Sequence, residues 1–253
     1  MRNLSRLLVL GTAAAAVAAP SAMAANSAVA TLSPNKGGTP VLAAPTTFKL
    51  TVNTPDIVYD ASGNTRIKAI KANLPEQLLF NSIGFTQCQV TSFIETKSCP
   101  SKSKIGDAVV EADGGPDIGK VQATTELFFG SGFTVLARVQ SDSPAVIDEP
   151  VVGELRSSGV RGYGLQMYIP VPAKVSQPID RVYPIVRSVT ATVKPPVRSV
   201  KVSGKKVKIP LAGLGPCSGA LNFDVSVVYG PPEVLPSTVL TSVGASTKAK
   251  CKK

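Results

Sequence analysis

The chain contains no histidine and no tryptophan. Without histidine, a Ser-His-Asp triad, a Cys-His pair and a histidine-ligated zinc ion are all excluded from this polypeptide. Without tryptophan, it also lacks a large aromatic platform for stacking against a sugar ring. Most hydrolase mechanisms are therefore excluded, and we predict that the protein is not an enzyme.

Nucleotide-binding motifs and long apolar segments are missing as well. The sequence has no G-x-x-x-x-G-K-[ST] loop and no G-x-G-x-x-G motif after a strand. Beyond residue 24, prolines or charged residues interrupt each apolar run within about ten residues. We therefore predict no cofactor and no transmembrane segment in this part of the chain.

Residues 1–24 have the three parts of a secretory signal peptide. Arg2 and Arg6 make a basic start, residues 7–19 are apolar, and Ala22-Met23-Ala24 forms an A-x-A cleavage site. The apolar stretch is about 13 residues long, whereas a membrane span needs about 18 or more. We expect a secreted protein, free or associated with the cell envelope, whose mature chain begins near Ala25.

Basic residues outnumber acidic ones. The formal net charge is +11, and loss of Arg2 and Arg6 leaves +9 on the mature chain. Outside a cell this charge favours anionic partners such as envelope polymers, acidic glycans or lipid head groups, although solubility alone explains it equally well. Without interleaved aromatic residues, the basic clusters do not predict a nucleic-acid platform. These clusters are Lys201, Lys205, Lys206 and Lys208, and Lys248, Lys250, Lys252 and Lys253.

The four cysteines predict two disulfides, because export would place an even number of cysteines in an oxidising environment. Three pairings are possible. We favour Cys88 with Cys99 and Cys217 with Cys251, since each pair lies within one apparent structural segment. A zinc site is disfavoured because the chain has no C-x-x-C motif and no histidine.

Alternation of apolar and polar residues predicts an all-β protein. In residues 46–53, for example, Phe48, Leu50 and Val52 alternate with polar neighbours. Turn residues separate the predicted strands, which favours an antiparallel β-sandwich over residues 46–253, of one domain or two packed subdomains. We expect residues 25–45 to form an extended linker or edge segment. The other predicted strands are 66–72, 105–112, 121–129, 133–139, 164–169, 186–193, 197–202, 207–211 and 221–229.

Three local features complete this prediction. The first two strands, 46–53 and 66–72, are expected to pair. The segment between Cys88 and Cys99 is predicted to hold one helical turn. Residues 141–150 carry three acidic residues and two prolines, so we expect an exposed connection there.

One element resembles a pattern found in exported β-rich proteins of actinobacteria. Leu74-Pro75 precedes an apolar run and Cys88, and residues 99–106 then read Cys-Pro-Ser-Lys-Ser-Lys-Ile-Gly. The C-terminal order of Cys217, an alternating strand and Cys251 is similar to the ending of the same proteins. The resemblance implies export, a β architecture and the disulfide pairing favoured above. It implies no activity and no catalytic residue.

Several acidic residues are candidates for chemical sites. Glu111 with Asp113, or Asp148 with Glu149, could supply the two carboxylates of a glycosidase, but a strand face near a turn and a polar loop both favour solvated side chains. Asp107, Asp113 and Asp117 could bind calcium, although their spacing matches no EF-hand loop. Hairpin chemistry explains the Asp113-Gly114-Gly115 turn more simply.

The segment Leu235-Pro236-Ser237-Thr238 is similar to a sortase signal, but Val239 stands where that signal requires glycine. The apolar stop that should follow is also missing, so we predict a turn into a last strand instead.

Three functional hypotheses follow. The first is a non-enzymatic binding protein that presents a basic surface to an anionic partner. The second is an extracellular carrier of an apolar ligand, with a cavity lined by residues such as Phe80, Phe85, Phe128, Phe129 and Phe133. The third is a carboxylate-dependent glycoside hydrolase. The sequence predicts no catalytic, cofactor or metal-binding residue.

Overall fold

A computed structural model of the chain describes residues 26–39, 41–54, 66–180, 182–202, 204–230 and 241–252. The predicted signal peptide, residues 1–24, and the segment Leu235-Pro236-Ser237-Thr238 lie outside the described residues. Among the described residues, neither helix combines the length and apolar character that crossing a membrane requires.

Strands dominate the structure, as the alternation in the sequence predicts. The first eight are β1 (Ser27–Ser33), β2 (Ala44–Pro45), β3 (Thr47–Asn53), β4 (Arg66–Pro75), β5 (Leu78–Phe80), β6 (Lys104–Asp113), β7 (Lys120–Gly130) and β8 (Thr134–Ser141). The other eight are β9 (Ile147–Ser157), β10 (Tyr163–Pro170), β11 (Ile185–Val193), β12 (Val197–Val202), β13 (Lys205–Pro210), β14 (Ala212–Leu214), β15 (Gly219–Gly230) and β16 (Thr241–Cys251). The helices are α1 (Val90–Thr96), α2 (Ala173–Ser176) and a 3-10 turn, Ser101–Ser103.

Eleven strands form one antiparallel sheet in the order β1-β3-β11-β6-β7-β8-β9-β10-β4-β15-β16. Each strand runs opposite to its neighbour, so the two edge strands of this odd-numbered sheet run in the same direction. The segment after β1 meets the end of β16 in a parallel bridge between Lys36 and Lys252. Two backbone hydrogen bonds of 2.7 Å join Lys252 to Asn35 and Gly37 there. The sheet is therefore nearly closed and barrel-like.

The predicted all-β, antiparallel fold stapled by disulfides is confirmed. The facing layers of the expected sandwich belong to one continuous curved sheet. The segment 25–45 contributes β1 at one edge of that sheet and β2 in a smaller sheet. The cysteines are paired as the sequence favoured, Cys88 with Cys99 and Cys217 with Cys251.

Two small sheets accompany the large one. Strands β2, β14 and β5 form a three-stranded sheet, and β12 and β13 form a separate hairpin. We call the end of the large sheet where β4 ends and β15 begins the upper end, and the opposite end the lower end. The three-stranded sheet follows the end of β4 and lies at the upper end.

Three local expectations differ from the structure. Strands β3 and β4 do not pair, because β3 lies between β1 and β11 while β4 lies between β10 and β15. Residues 147–150 are not loop but the start of β9, where Asp148 and Glu149 pair with β8. The helix between Cys88 and Cys99 spans seven residues, which exceeds one turn.

Three clusters of buried apolar side chains lie inside the large sheet. The first is centred on strands β15, β16 and β4, where Phe223, Val225 and Leu74 are almost fully buried, and the second includes Phe129 of β7 and Val135 of β8. A separate cluster lies under α1, where Phe93 packs on Phe128 and Leu136. This outer cluster explains why Phe128 is buried although it points away from the interior, since α1 and the Cys88–Cys99 disulfide cover it.

Candidate functional site

An apolar cavity of about 190 Å³ occupies the interior of the sheet. Alternate residues of β6, β7, β8, β10 and β11 point into it, as the two-residue period of a strand requires. Among the described residues, Thr125 is the one polar side chain in its lining, and no ionisable side chain lines it. The cavity thus offers an apolar ligand contact on many sides and offers a charged ligand no counter-ion.

Two features of the sequence leave this interior hollow. A closed sheet of about eight strands is just filled by its own side chains, and wider sheets leave space. This sheet has eleven strands. Many inward positions also carry alanine, whose methyl group does not reach the centre. These alanines are Ala72, Ala108, Ala112, Ala123, Ala137, Ala191 and Ala212.

The upper end of the cavity is covered by the three-stranded sheet. Phe80 of β5 and Ala212 of β14 line the cavity, and so does Leu211 immediately before β14. Leu211 and Ala212 are each 1% exposed. This small sheet therefore packs over the upper end of the cavity. Its strands are short and uniformly apolar, so they lack the alternation of apolar and polar residues that marks an amphipathic strand.

The lower end is covered by residues 171–180, which include α2, and by Pro184. Val171, Val175 and Pro178 line the cavity together with Pro184. We call residues 171–180 the lower cover. Because α2 has only four residues, its position depends on side-chain contacts with the sheet more than on its own helical hydrogen bonds.

Two polar contacts fasten the lower cover. The Nε atom of Arg66, at the start of β4, donates a 2.7 Å hydrogen bond to Oγ of Ser176 in α2. Both residues are buried. Nearby, Nζ of Lys174 lies 3.4 Å from a carboxylate oxygen of Glu149 on β9. The first contact is shielded from water and should contribute more than the second, in which the lysine is largely exposed.

We expect Ser176→Ala to loosen the lower cover. The substitution leaves the buried Nε of Arg66 without its hydroxyl partner, which costs about 1–3 kcal/mol. The substitution should accelerate hydrogen exchange in residues 171–180 and leave exchange in the centre of β7 unchanged. Ser218→Ala, at an exposed position, is the matched control. Unchanged exchange in the lower cover would contradict the fastening role of Ser176.

The five phenylalanines proposed from the sequence as cavity lining have different positions. Phe80 lines the cavity. Phe129 is buried in the core, and Phe128 lies in the cluster beneath α1. The guanidinium group of Arg198 lies 5.6 Å from the ring centre of Phe85. Phe133 lies in a turn and is 47% exposed. The sequence did not reveal Phe48, which lines the cavity from β3.

The candidate carboxylates of β9 are tied to basic groups. Arg138 donates two hydrogen bonds, of 2.8 and 3.2 Å, to the carboxylate of Asp148, and Lys97 donates to the backbone oxygen of Asp148. The hydrogen bonds from Arg138 hold the pKa of Asp148 below its ordinary value. Glu149 faces Lys174. These contacts give both carboxylates a structural role.

Glu111 and Asp113 lie on the outer face of β6, away from the cavity. Arg187 donates a 2.9 Å hydrogen bond to Asp113, which lowers the pKa of that carboxyl group. The hydroxyl of Ser188 lies 3.1 Å from Glu111. A glycosidase needs two carboxyl groups facing each other across a cleft, and two side chains on one outer strand face do not form one.

Two of the three aspartates that could act as calcium ligands lie far apart along one strand. Asp107 and Asp113 lie six residues apart on β6, about 20 Å along an extended chain. Asp107 lies 2.6 Å from Nζ of Lys104, and the backbone N–H of Gly115 donates to Asp113 within the turn. Among the residues that the structure describes, no group of three or more potential metal ligands comes together.

The two basic clusters lie on different elements. Lys201, Lys205, Lys206 and Lys208 belong to the β12–β13 hairpin. Lys248 and Lys250 lie on the outer face of β16, and Lys252 joins the two edges of the large sheet. Lys253 lies outside the described residues.

Comparisons of the chain with protein-family models, with curated proteins and with solved structures gave no match.

Proposed function

We propose that this protein is an extracellular, non-enzymatic carrier that holds a small apolar molecule inside its sheet. The observation that carries the proposal is the cavity of about 190 Å³ with its apolar lining. An engineered apolar cavity of about 150 Å³ in another protein stays dry and binds benzene or xenon. A cavity of this size and character therefore suits a ligand of about the size of a benzene ring or a short alkyl chain.

The two disulfides support the extracellular part of the proposal, because disulfides form and persist in oxidising compartments. The chemistry of the lining supports the carrier role over catalysis. A hydroxyl group alone, on Thr125, is a weak acid and a weak base, and general acid–base catalysis needs a titratable group within reach of the substrate. Ligand exchange would require one of the two covers to move aside.

Benzene is the first probe that we would use. The purified, oxidised protein should be stabilised by benzene, because a ligand at about 100 times its Kd stabilises the native state by about 2.7 kcal/mol. For a protein of this length that corresponds to roughly 5–10 °C in Tm. Scanning calorimetry with and without benzene measures this shift.

Two further probes make the test specific. Hexane should also raise Tm, because the cavity requires apolar surface and no particular shape of polar group. Benzoate carries the same ring with a carboxylate, and it should give no shift because a buried, unpaired charge is strongly unfavourable. Absence of any shift with benzene and hexane would reject the carrier proposal, and an equal shift with benzoate would place binding outside the cavity.

A further inference from the structure

The β12–β13 hairpin carries a row of exposed lysines. Its antiparallel register places Lys201 directly opposite Lys206 and Ser199 opposite Lys208. These four residues alternate with the half-buried Arg198, Val200, Val207 and Ile209, so they share the outer face of the hairpin. Lys205 extends the charge at the turn.

This arrangement is unfavourable for the protein alone. Like charges directly opposite each other in a sheet destabilise it. Among the described residues, none of Lys201, Lys205, Lys206 and Lys208 forms an ion pair. An anionic partner would relieve the repulsion between Lys201 and Lys206.

An apolar side chain is exposed beside the lysines. Val197 alternates with Arg198 as Ser199 and Lys201 do, so it belongs to the same outer face, and it is 45% exposed. Ile83 lies on the other side of the hairpin, because its neighbour Gly84 approaches the guanidinium of Arg198 on the inner face. The outer face thus combines positive charge with an exposed apolar group.

The hairpin is also connected to the cavity. Pro195, two residues before β12, lines the cavity, and so does Leu211, which follows β13. The backbone N–H of Leu211 donates a 2.9 Å hydrogen bond to the carbonyl oxygen of Pro196, which closes the base of the hairpin. Movement of the hairpin would therefore be transmitted directly to the three-stranded sheet that covers the upper end of the cavity.

We infer that the outer face of the β12–β13 hairpin, with its lysines and Val197, docks on an anionic lipid surface. Basic side chains near such a surface bind its head groups, and apolar side chains enter the acyl region beneath them. A soluble acidic polymer matches the lysines but offers no apolar contact to Val197. Docking would bring the upper end of the cavity against a membrane, which is a reservoir of apolar molecules.

The test is co-sedimentation of the purified protein with vesicles of equal parts phosphatidylglycerol and phosphatidylcholine. We expect binding that weakens as salt rises, and no binding to pure phosphatidylcholine. The triple variant Lys201→Gln, Lys206→Gln, Lys208→Gln should bind about 100-fold more weakly. The matched control Lys49→Gln, Lys120→Gln, Lys248→Gln removes the same charge from exposed positions elsewhere and should keep most of the binding. Failure of the unmodified protein to bind these vesicles, or equal losses in both triple variants, would overturn the inference.

Val197→Asn separates a lipid surface from an acidic polymer. It should weaken vesicle binding about tenfold, because an exposed valine no longer enters the bilayer, and should leave binding to polygalacturonate unchanged. Tighter binding to polygalacturonate than to vesicles, with no effect of Val197→Asn on either, would assign the hairpin to polymers and overturn the inference. The stabilisation by benzene should be the same in all these variants, because none of the substituted residues lines the cavity. Loss of docking is thus distinguishable from loss of the proposed carrier function.

Discussion

Replacing Ala137 by leucine is expected to weaken benzene binding roughly 50-fold without destabilising the protein. Ala137 lies in the middle of β8 and is 3% exposed, and its methyl group lines the cavity. Leucine adds three carbon atoms to that space. If they displace an equal amount of ligand contact, the loss is about 0.8 kcal/mol for each carbon atom, or about 2.4 kcal/mol in total.

The stability of this variant separates a hollow interior from a close-packed one. In a close-packed core, the same substitution would force neighbouring side chains out of their rotamers and cost about 1–3 kcal/mol. In the cavity, the added carbons gain apolar contact, so the free energy of unfolding should stay the same or rise. Urea denaturation and benzene titration of one sample measure both quantities.

Two other variants complete this experiment. Ala108→Leu fills the cavity from β6 and should also weaken benzene binding. Agreement between the two variants would show that the loss of affinity comes from the filled cavity and not from a distortion at Ala137. Ala220→Leu adds the same atoms at an exposed position on β15 and should leave affinity unchanged. Unweakened binding in both cavity variants would show that benzene does not enter the cavity.

Much of the fold was predictable because apolar and polar residues alternate within each single strand, whichever strands lie beside it. Strands β6, β7, β8, β11 and β15 have apolar residues at alternate positions, and the structure places each close to its predicted bounds. The period of two reflects the geometry of one extended chain, so it needs no knowledge of neighbouring strands. Strand pairing is different, since β4 lies beside β10 and β15 from distant parts of the sequence.

The cavity was not predictable from the same pattern. An inward alanine such as Ala123 has the sequence character of an ordinary core residue. Whether its methyl group meets an opposing side chain or empty space depends on the diameter of the closed sheet, which is set by the number and order of strands. The run of β7 residues Val121, Ala123, Thr125 and Leu127 therefore indicates which face is buried and not how far apart the facing walls are.

The two covers were missed for related reasons. Strand β14 has three consecutive buried residues, Ala212 to Leu214, because it is covered on both faces, and continuous burial leaves no alternation to detect. The helix α2 has four residues, too few for a helical period. Both elements are positioned by contacts with the large sheet. These contacts join residues that are distant in the sequence, so a short stretch of sequence does not reveal them.

Removal of the Cys217–Cys251 disulfide is expected to cost about 4 kcal/mol of unfolding free energy. The bridge closes a segment with a sequence separation of 34 residues, against 11 for Cys88–Cys99, for which loop-closure entropy gives about 3 kcal/mol. We would compare Cys217→Ser, Cys251→Ser with Cys88→Ser, Cys99→Ser by urea denaturation. Equal or reversed losses would contradict the loop-length argument.

The two bridges should also differ in their effect on the cavity. Cys251 lies at the end of β16, next to the Lys252 bridge that joins the two edges of the sheet. A Cβ atom on Gly37 would lie 3.0 Å from Sγ of Cys217, so the disulfide packs against the segment that follows β1. Losing it should loosen the closure of the sheet and weaken benzene binding. Cys88–Cys99 fixes α1 on the outer face, and its loss should leave affinity unchanged because α1 contributes no residue to the cavity. Equal weakening in both double variants would show that the ligand site depends on overall stability and not on closure at Lys252.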